Sequence, residues 1–152
     1  MIVRSGHGWL AYPVLVDPDP ATDYPLGTRR PDLVRTPSGL GLDAVTLDAA
    51  RQGTLTADDA RATPETLSLQ AGVARAEGRR QLADGLDRAA ELASVPDDLL
   101  LEIYTALRPG RSSAAELEDW AARLAGLGAT RTAAFVREAA AAYAGRGLAT
   151  DG

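Results

Sequence analysis

Few side chains in this sequence could do chemistry, and they are scattered. The only histidine, His7, lies in Ser5-Gly6-His7-Gly8-Trp9, where an imidazole could serve as a metal ligand or a general base. A metal site needs several convergent donors. With no cysteine and no second histidine to supply them, His7 reads as a solvated imidazole. The adjacent carboxylates Asp58-Asp59 and Asp97-Asp98 could suggest acid and base work. Helical neighbours, however, point about 100° apart and do not converge on one atom. Each pair stands where a helix should begin, and there the exposed N–H groups and the dipole stabilise negative charge. Gly6-His7-Gly8 and Gly39-Leu40-Gly41 lack the glycine framework, the lysine and the preceding strand of a nucleotide loop, and read as connectors. Arg108 and Arg111 flank Pro109 where a helix must stop. They could complement the helix C-terminus or pair with carboxylates of a neighbouring subunit, and Arg137 could do either as well. No residue is assigned a catalytic, cofactor-binding or metal-ligating role.

The composition narrows the function classes further. A chain of 152 residues fits one domain, and a domain of that size buries roughly 68 to 70 % of its unfolded surface. All 16 basic residues are arginine, so Schiff-base and catalytic lysine chemistry is excluded, and the absence of cysteine removes thiolate nucleophiles and thiolate-held clusters. A net charge of -5 and a pI near 4.8 argue against a nucleic-acid surface. The apolar run from Trp9 to Val16 is too short to cross a bilayer and lacks the pattern of a secretory signal. Only 5 % of the residues are aromatic, so packing rests on Ala, Leu and Val, which suits helices in close contact.

The elements that must position these residues are helical. Residues 1–42 contain Pro13, Pro18, Pro20, Pro25, Pro31 and Pro37, a density that forbids a long helix, so an irregular arm is expected there. Trp9, Tyr12, Tyr24 and Leu26 are its candidates for lying on a partner. Beyond it, Leu42 to Ala49 suggests a short helix closed by Gly53, and Thr56 caps a brief turn. Thr63-Pro64-Glu65 starts a stronger helix that Gly78 ends, followed by one from Arg79 to Ala93. Pro96 is expected in the first turn of a helix carrying Leu99, Leu100, Ile103, Tyr104 and Leu107. Ser113 and Glu116 form a capping box ahead of a stripe of Leu117, Trp120, Leu124 and Leu127. Thr130 is expected to cap the last helix, which carries Ala133, Val136, Ala140 and Tyr143, and the tail from Gly145 should fray. No repeat with a period of 20 to 50 residues is visible. The expected architecture is all-α: a compact bundle of about five helices over 43–148, an N-terminal arm over 1–42 and a flexible tail over 149–152.

Four blocks carry a family resemblance: DYPL (Asp23 to Leu26), TPETLSLQA (Thr63 to Ala71), RAAELASVPDDLLLEIYTALRPGR (Arg88 to Arg111) and AAFVREAA (Ala133 to Ala140). In this order and spacing the chain resembles the small subunit of adenosylcobalamin-dependent diol or glycerol dehydratases from about Asp23 to Leu148. The resemblance implies a non-catalytic subunit that stabilises the large subunit of a complex converting 1,2-propanediol to propanal, or glycerol to 3-hydroxypropanal. It implies large and medium subunits as partners, usually in a dimer of heterotrimers, with adenosylcobalamin held between those two. Ser5 occupies the acidic position of a D-x-H-x-x-G cobalamin motif, so His7 is not expected to ligate cobalt. Family members packed into bacterial microcompartments tend to carry an amphipathic N-terminal helix, which Pro13, Pro18 and Pro20 prevent here. A free cytosolic complex is therefore expected, with the medium subunit as the remaining route into a compartment. The alternative reading is a free-standing helical adaptor for an unrelated partner.

Overall fold

Thr63 and Ser113 begin the two helical hairpins that make up most of the molecule. The computed structural model describes residues 18–150, so the expectations for His7, Trp9 and Tyr12 lie outside the described residues. Two short helices, α1 (Pro20–Asp23) and α2 (Leu26–Arg29), and a 3-10 turn (Pro31–Leu33) come first. Leu26 is 1 % exposed and packs on Leu69 and Val73, with Leu33 and Val34 alongside. This corrects the expectation that Leu26 meets a partner: its side chain belongs to this chain's own core. A second 3-10 turn (Leu42–Ala44) precedes α3 (Leu47–Arg51), split from it because the Thr46 hydroxyl accepts the Ala49 N–H at 3.1 Å and starts a new helix.

The first hairpin joins α4 (Pro64–Ala76) to α5 (Arg80–Leu92). Thr63 caps α4 through the Thr66 N–H, with Pro64 at the first helical position. Gly78, at φ +72°, makes the turn; that left-handed conformation costs a residue bearing a Cβ more than it costs glycine. Ala71, Ala74 and Ala83 are the buried contact, small enough for the two helices to approach closely. A single helix, α6 (Asp97–Ala106), then leads to the second hairpin, α7 (Ala114–Gly126) and α8 (Thr130–Arg146). Pro96 is the residue before α6, extended at ψ 141°, and so stands one position earlier than expected. The expected capping box at Ser113 and Glu116 forms in full. Leu99 and Ile103 of α6 pack with Leu117, Ala121 and Leu124 of α7 and Ala133, Val136 and Ala140 of α8.

Three expected core positions turn outward or to the edge. Tyr104 is 60 % exposed and Leu127 51 %, and Trp120 is only partly buried at the core's margin. Tyr104 follows the buried Ile103 by one residue, about 100° further round the helix. Leu127 lies past the last turn of α7. Thr130 is the first residue of α8, not its cap; the preceding Ala129 offers no side-chain bond. The expected fraying does not describe the stretch from Gly145 to Thr150. The Leu148 N–H donates to the Tyr143 carbonyl at 2.9 Å, the Gly110 N–H to the Leu148 carbonyl at 2.7 Å, and the Thr150 N–H to the Ser112 carbonyl at 3.0 Å.

A repeat that the sequence hides is plain in the structure. α6, α7 and α8 begin at 97, 114 and 130, each 50 positions after α3, α4 and α5, which begin at 47, 64 and 80. Gly78 and Gly128 both take positive φ, and the residues after them match closely, Arg79 at φ -85°, ψ 62° and Ala129 at φ -82°, ψ 63°. Buried positions correspond as well: Ala71 with Ala121, Ala74 with Leu124, Ala83 with Ala133, Ala90 with Ala140. The expectation of no such repeat is therefore corrected, and the chain contains two copies of a three-helix unit.

Candidate subunit-docking surface

The residues expected to meet a partner are spread along the chain, and the fold sorts them. Tyr24 stays 55 % exposed beside α1, Leu26 is consumed by the core, and Arg137 is engaged within the chain, its Nε donating to Glu118 at 2.7 Å. Arg137 thus joins α7 to α8 in a surface pair whose two side chains stay about half exposed. Arg108 and Arg111 remain exposed. Among the described residues neither has a carboxylate within ion-pairing distance.

These two arginines sit on a loop held from several sides. The Arg111 N–H donates to the Arg108 carbonyl at 3.1 Å. The Tyr143 hydroxyl donates to the Leu107 carbonyl at 2.6 Å, serving an orphan group at the end of α6. The tail bonds at Gly110 and Ser112 close the other side. Before the loop, α6 turns Leu99, Ile103 and Ala106 inward and Leu101 and Tyr104 outward, 69 % and 60 % exposed. The outward face ends at Arg108, one turn past Tyr104. Thr105 shares that face, and its hydroxyl donates to the Leu101 carbonyl of its own helix at 2.8 Å, so its hydrogen bond is met inside the chain. Beside the face runs an open groove of about 370 Å³ lined by Leu101, Glu102, Thr105, Ala106, Arg111 and Ser112.

The charges around this face are unequal at its two ends. At the start of α6, Arg61 grips Asp97 with two bonds of 3.1 and 2.6 Å, which holds the Asp97 carboxyl below its usual range and raises the Arg61 guanidinium. Asp97 is thus both a helix-start residue, as expected, and a clasp to the preceding loop. Glu102 is met by Arg123 at 3.7 Å, and Arg123 also lies over the Trp120 ring at 5.1 Å. Among the described residues Asp97 and Glu102 have arginine partners, whereas Asp98, also exposed at the start of α6, accepts only the Leu99 N–H.

Sequence reasoning missed Leu101 and Tyr104 as surface residues, although the run Leu99-Leu100-Leu101-Glu102-Ile103-Tyr104 puts apolar side chains on both faces of one helix. It also missed the polar seam joining the two hairpins. Both oxygens of Glu91 on α5 accept from the start of α8: the Arg131 N–H at 2.9 Å, the Thr132 N–H at 2.8 Å and the Thr132 hydroxyl at 2.8 Å. One turn earlier, Asp87 meets Arg75 at 2.6 Å and Arg131 at 3.2 Å. Arg88 lies over the Phe135 ring at 4.8 Å. The signal available in the sequence was the missing side-chain cap at Ala129. Among the described residues no cluster of three potential metal ligands occurs, and no helix is long and apolar enough to cross a membrane.

Comparison with known proteins bears on what such a surface is for. A family model described as dehydratase small subunit matches residues 20–149. The propanediol dehydratase small subunit of Citrobacter freundii is 51 % identical over 126 residues, covering 82 % of this chain and 73 % of the relative. The protein of the same description from Salmonella typhimurium is 49 % identical over the same length and shares.

Proposed function

Because this chain belongs to the dehydratase small-subunit family, we propose that it serves as the non-catalytic small subunit of a diol dehydratase. The reaction would eliminate water from 1,2-propanediol to give propanal, or from glycerol to give 3-hydroxypropanal. The observation that carries this reading is the identity of about half the residues to two propanediol dehydratase small subunits across most of the chain. The residue inventory supports a role without a chemical step. The chain contains neither cysteine nor lysine, and Asp59, Asp87, Glu91, Asp97 and Glu116 are all spent on backbone, hydroxyl or arginine partners.

Adenosylcobalamin would supply the radical chemistry of such a complex from the large and medium subunits. A cobalt-ligating D-x-H-x-x-G motif is not completed at His7, where Ser5 takes the acidic position. The contribution of this chain is linkage. By binding the folded large subunit and not its unfolded form, it stabilises that subunit by an amount that grows with its free concentration over the dissociation constant. Co-expression tests this: large and medium subunits should give more soluble protein and more dehydratase activity with this chain than without it. Equal yield and activity in its absence would overturn the reading.

A further inference from the structure

We propose that the stretch from Gly147 to Thr150 is a strap that closes the loop between α6 and α7, and that strap and loop open together while the helices stay folded. The first observation is where the bonds of the loop go. Among the described residues, every hydrogen bond that ties 107–112 to a part of the chain beyond α6 ends on 143–150. The Tyr143 hydroxyl donates to the Leu107 carbonyl at 2.6 Å, the Gly110 N–H to the Leu148 carbonyl at 2.7 Å, and the Thr150 N–H to the Ser112 carbonyl at 3.0 Å. Gly147, at φ +66°, ends α8 in the left-handed conformation that turns the chain out of the helix, and the Leu148 N–H fixes that turn on the Tyr143 carbonyl at 2.9 Å.

Burial supplies the second observation. Arg108 to Arg111 and Ala144 to Leu148 are exposed, and Ala149 is half-buried, so hydrogen bonds hold the closure with little apolar contact behind them. Such segments occupy the low end of local stability. The flanking helices are packed through Leu117, Ala121, Leu124, Ala133 and Val136 at 0 % exposure, and no residue of 147–150 belongs to that core. Strap and loop can therefore part without the hairpin of α7 and α8 coming apart.

The repeat supplies the third. Positions 109 and 111 correspond to 59 and 61 in the first unit. There Asp59 ties its loop to Ser38 and Thr56, and Arg61 clasps Asp97 at 2.6 Å. In the second unit Pro109 has no side chain that can donate or accept, and Arg111 has no ion pair among the described residues. The restraints that lie within and ahead of the first loop are missing from the second, and the strap stands in their place from behind. Closed, it fixes the backbone that carries Arg108 and Arg111; open, it frees the Arg111–Ser112 peptide bond.

Hydrogen exchange of the full chain at low urea tests the joint opening. The Gly110 and Thr150 N–H groups should exchange through one opening with little urea dependence, whereas the Ala140 N–H should exchange only with global unfolding. Tyr143→Phe should speed exchange of both strap-linked groups about fivefold, the equivalent of one hydrogen bond. Limited trypsin digestion supplies an independent readout, since Arg111–Ser112 is a cleavable bond and Arg108–Pro109 is not. A chain ending at Gly147 should be cut after Arg111 at least about tenfold faster than wild type, because cleavage follows the population of the open form. Its circular dichroism should stay that of wild type, and cleavage after Arg123, within α7, should stay slow. If that chain does not fold, Thr150→Pro, which removes one N–H donor from the strap, reads the same cleavage rate. Exchange of Gly110 with the urea dependence of Ala140 would overturn the separate opening. Wild-type cleavage after Arg111 without the strap would overturn its role in closing the loop.

Discussion

Asp59 is a carboxylate that the fold turns into a cross-link. One oxygen accepts the Ser38 hydroxyl, and the other accepts the Thr56 N–H at 2.9 Å and the Thr56 hydroxyl at 2.7 Å. Ser38 is itself within hydrogen-bond distance of the Thr36 hydroxyl at 3.1 Å. These hydroxyl and N–H groups hold the Asp59 carboxyl far below the usual range. A carboxyl lowered in the folded state adds stability above its unfolded value near about 3.9, and loses that contribution as pH falls through the lower folded value. Asp59→Asn should therefore melt lower than Asp58→Asn at neutral pH, and the gap between wild type and Asp59→Asn should narrow below about pH 4. Thermal melts followed by circular dichroism between neutral and acid pH check both. Tyr143 makes a comparable link between distant segments, and Tyr143→Phe should cost about 1 kcal/mol in urea denaturation.

At the scale of elements, the start of α8 shows a cap provided from another helix. An N-terminal cap is ordinarily supplied by the residue before the helix. Here Ala129 cannot supply one, and Glu91 on α5 takes the role, so capping also joins the two hairpins. Glu91→Ala should destabilise the protein by about 1–2 kcal/mol. The exposed Glu138→Ala, on α8 itself, should stay within about 0.5 kcal/mol of wild type. Urea denaturation of the two variants distinguishes capping from a general effect of removing a carboxylate. The seam continues through Asp87, which draws Arg75 from α4 and Arg131 from α8 to one carboxylate.

The whole molecule is two related three-helix units joined by that seam, with the larger core in the second. If the seam makes them one cooperative body, Asp87→Ala with Glu91→Ala should broaden the urea transition or split it, lowering its apparent slope. An unchanged slope with a lower midpoint would mean that the apolar contacts couple the units without it. The first unit also holds the N-terminal segment through Leu26, so the stretch from Pro20 to Val34 should share the protection of α4 in hydrogen exchange.

The sequence by itself determined where α4 and α7 start and where the two hairpins turn. Thr63 with Pro64, Ser113 with Glu116, and the glycines at 78 and 128 act within one turn of chain, and local donors and backbone sterics suffice to read them. It also determined the family, through four blocks whose order survives in the chain. The tertiary structure alone decided which residues are available for binding. Leu26 was taken by Leu69 and Val73, far along the chain, while Leu101 and Tyr104 were left outside because α7 and α8 cover only one side of α6. The 50-residue repeat stayed hidden for a related reason. A helical hairpin needs only a cap, a left-handed glycine and a few small buried residues, so the positions between them were free to diverge until no period remained visible in the letters.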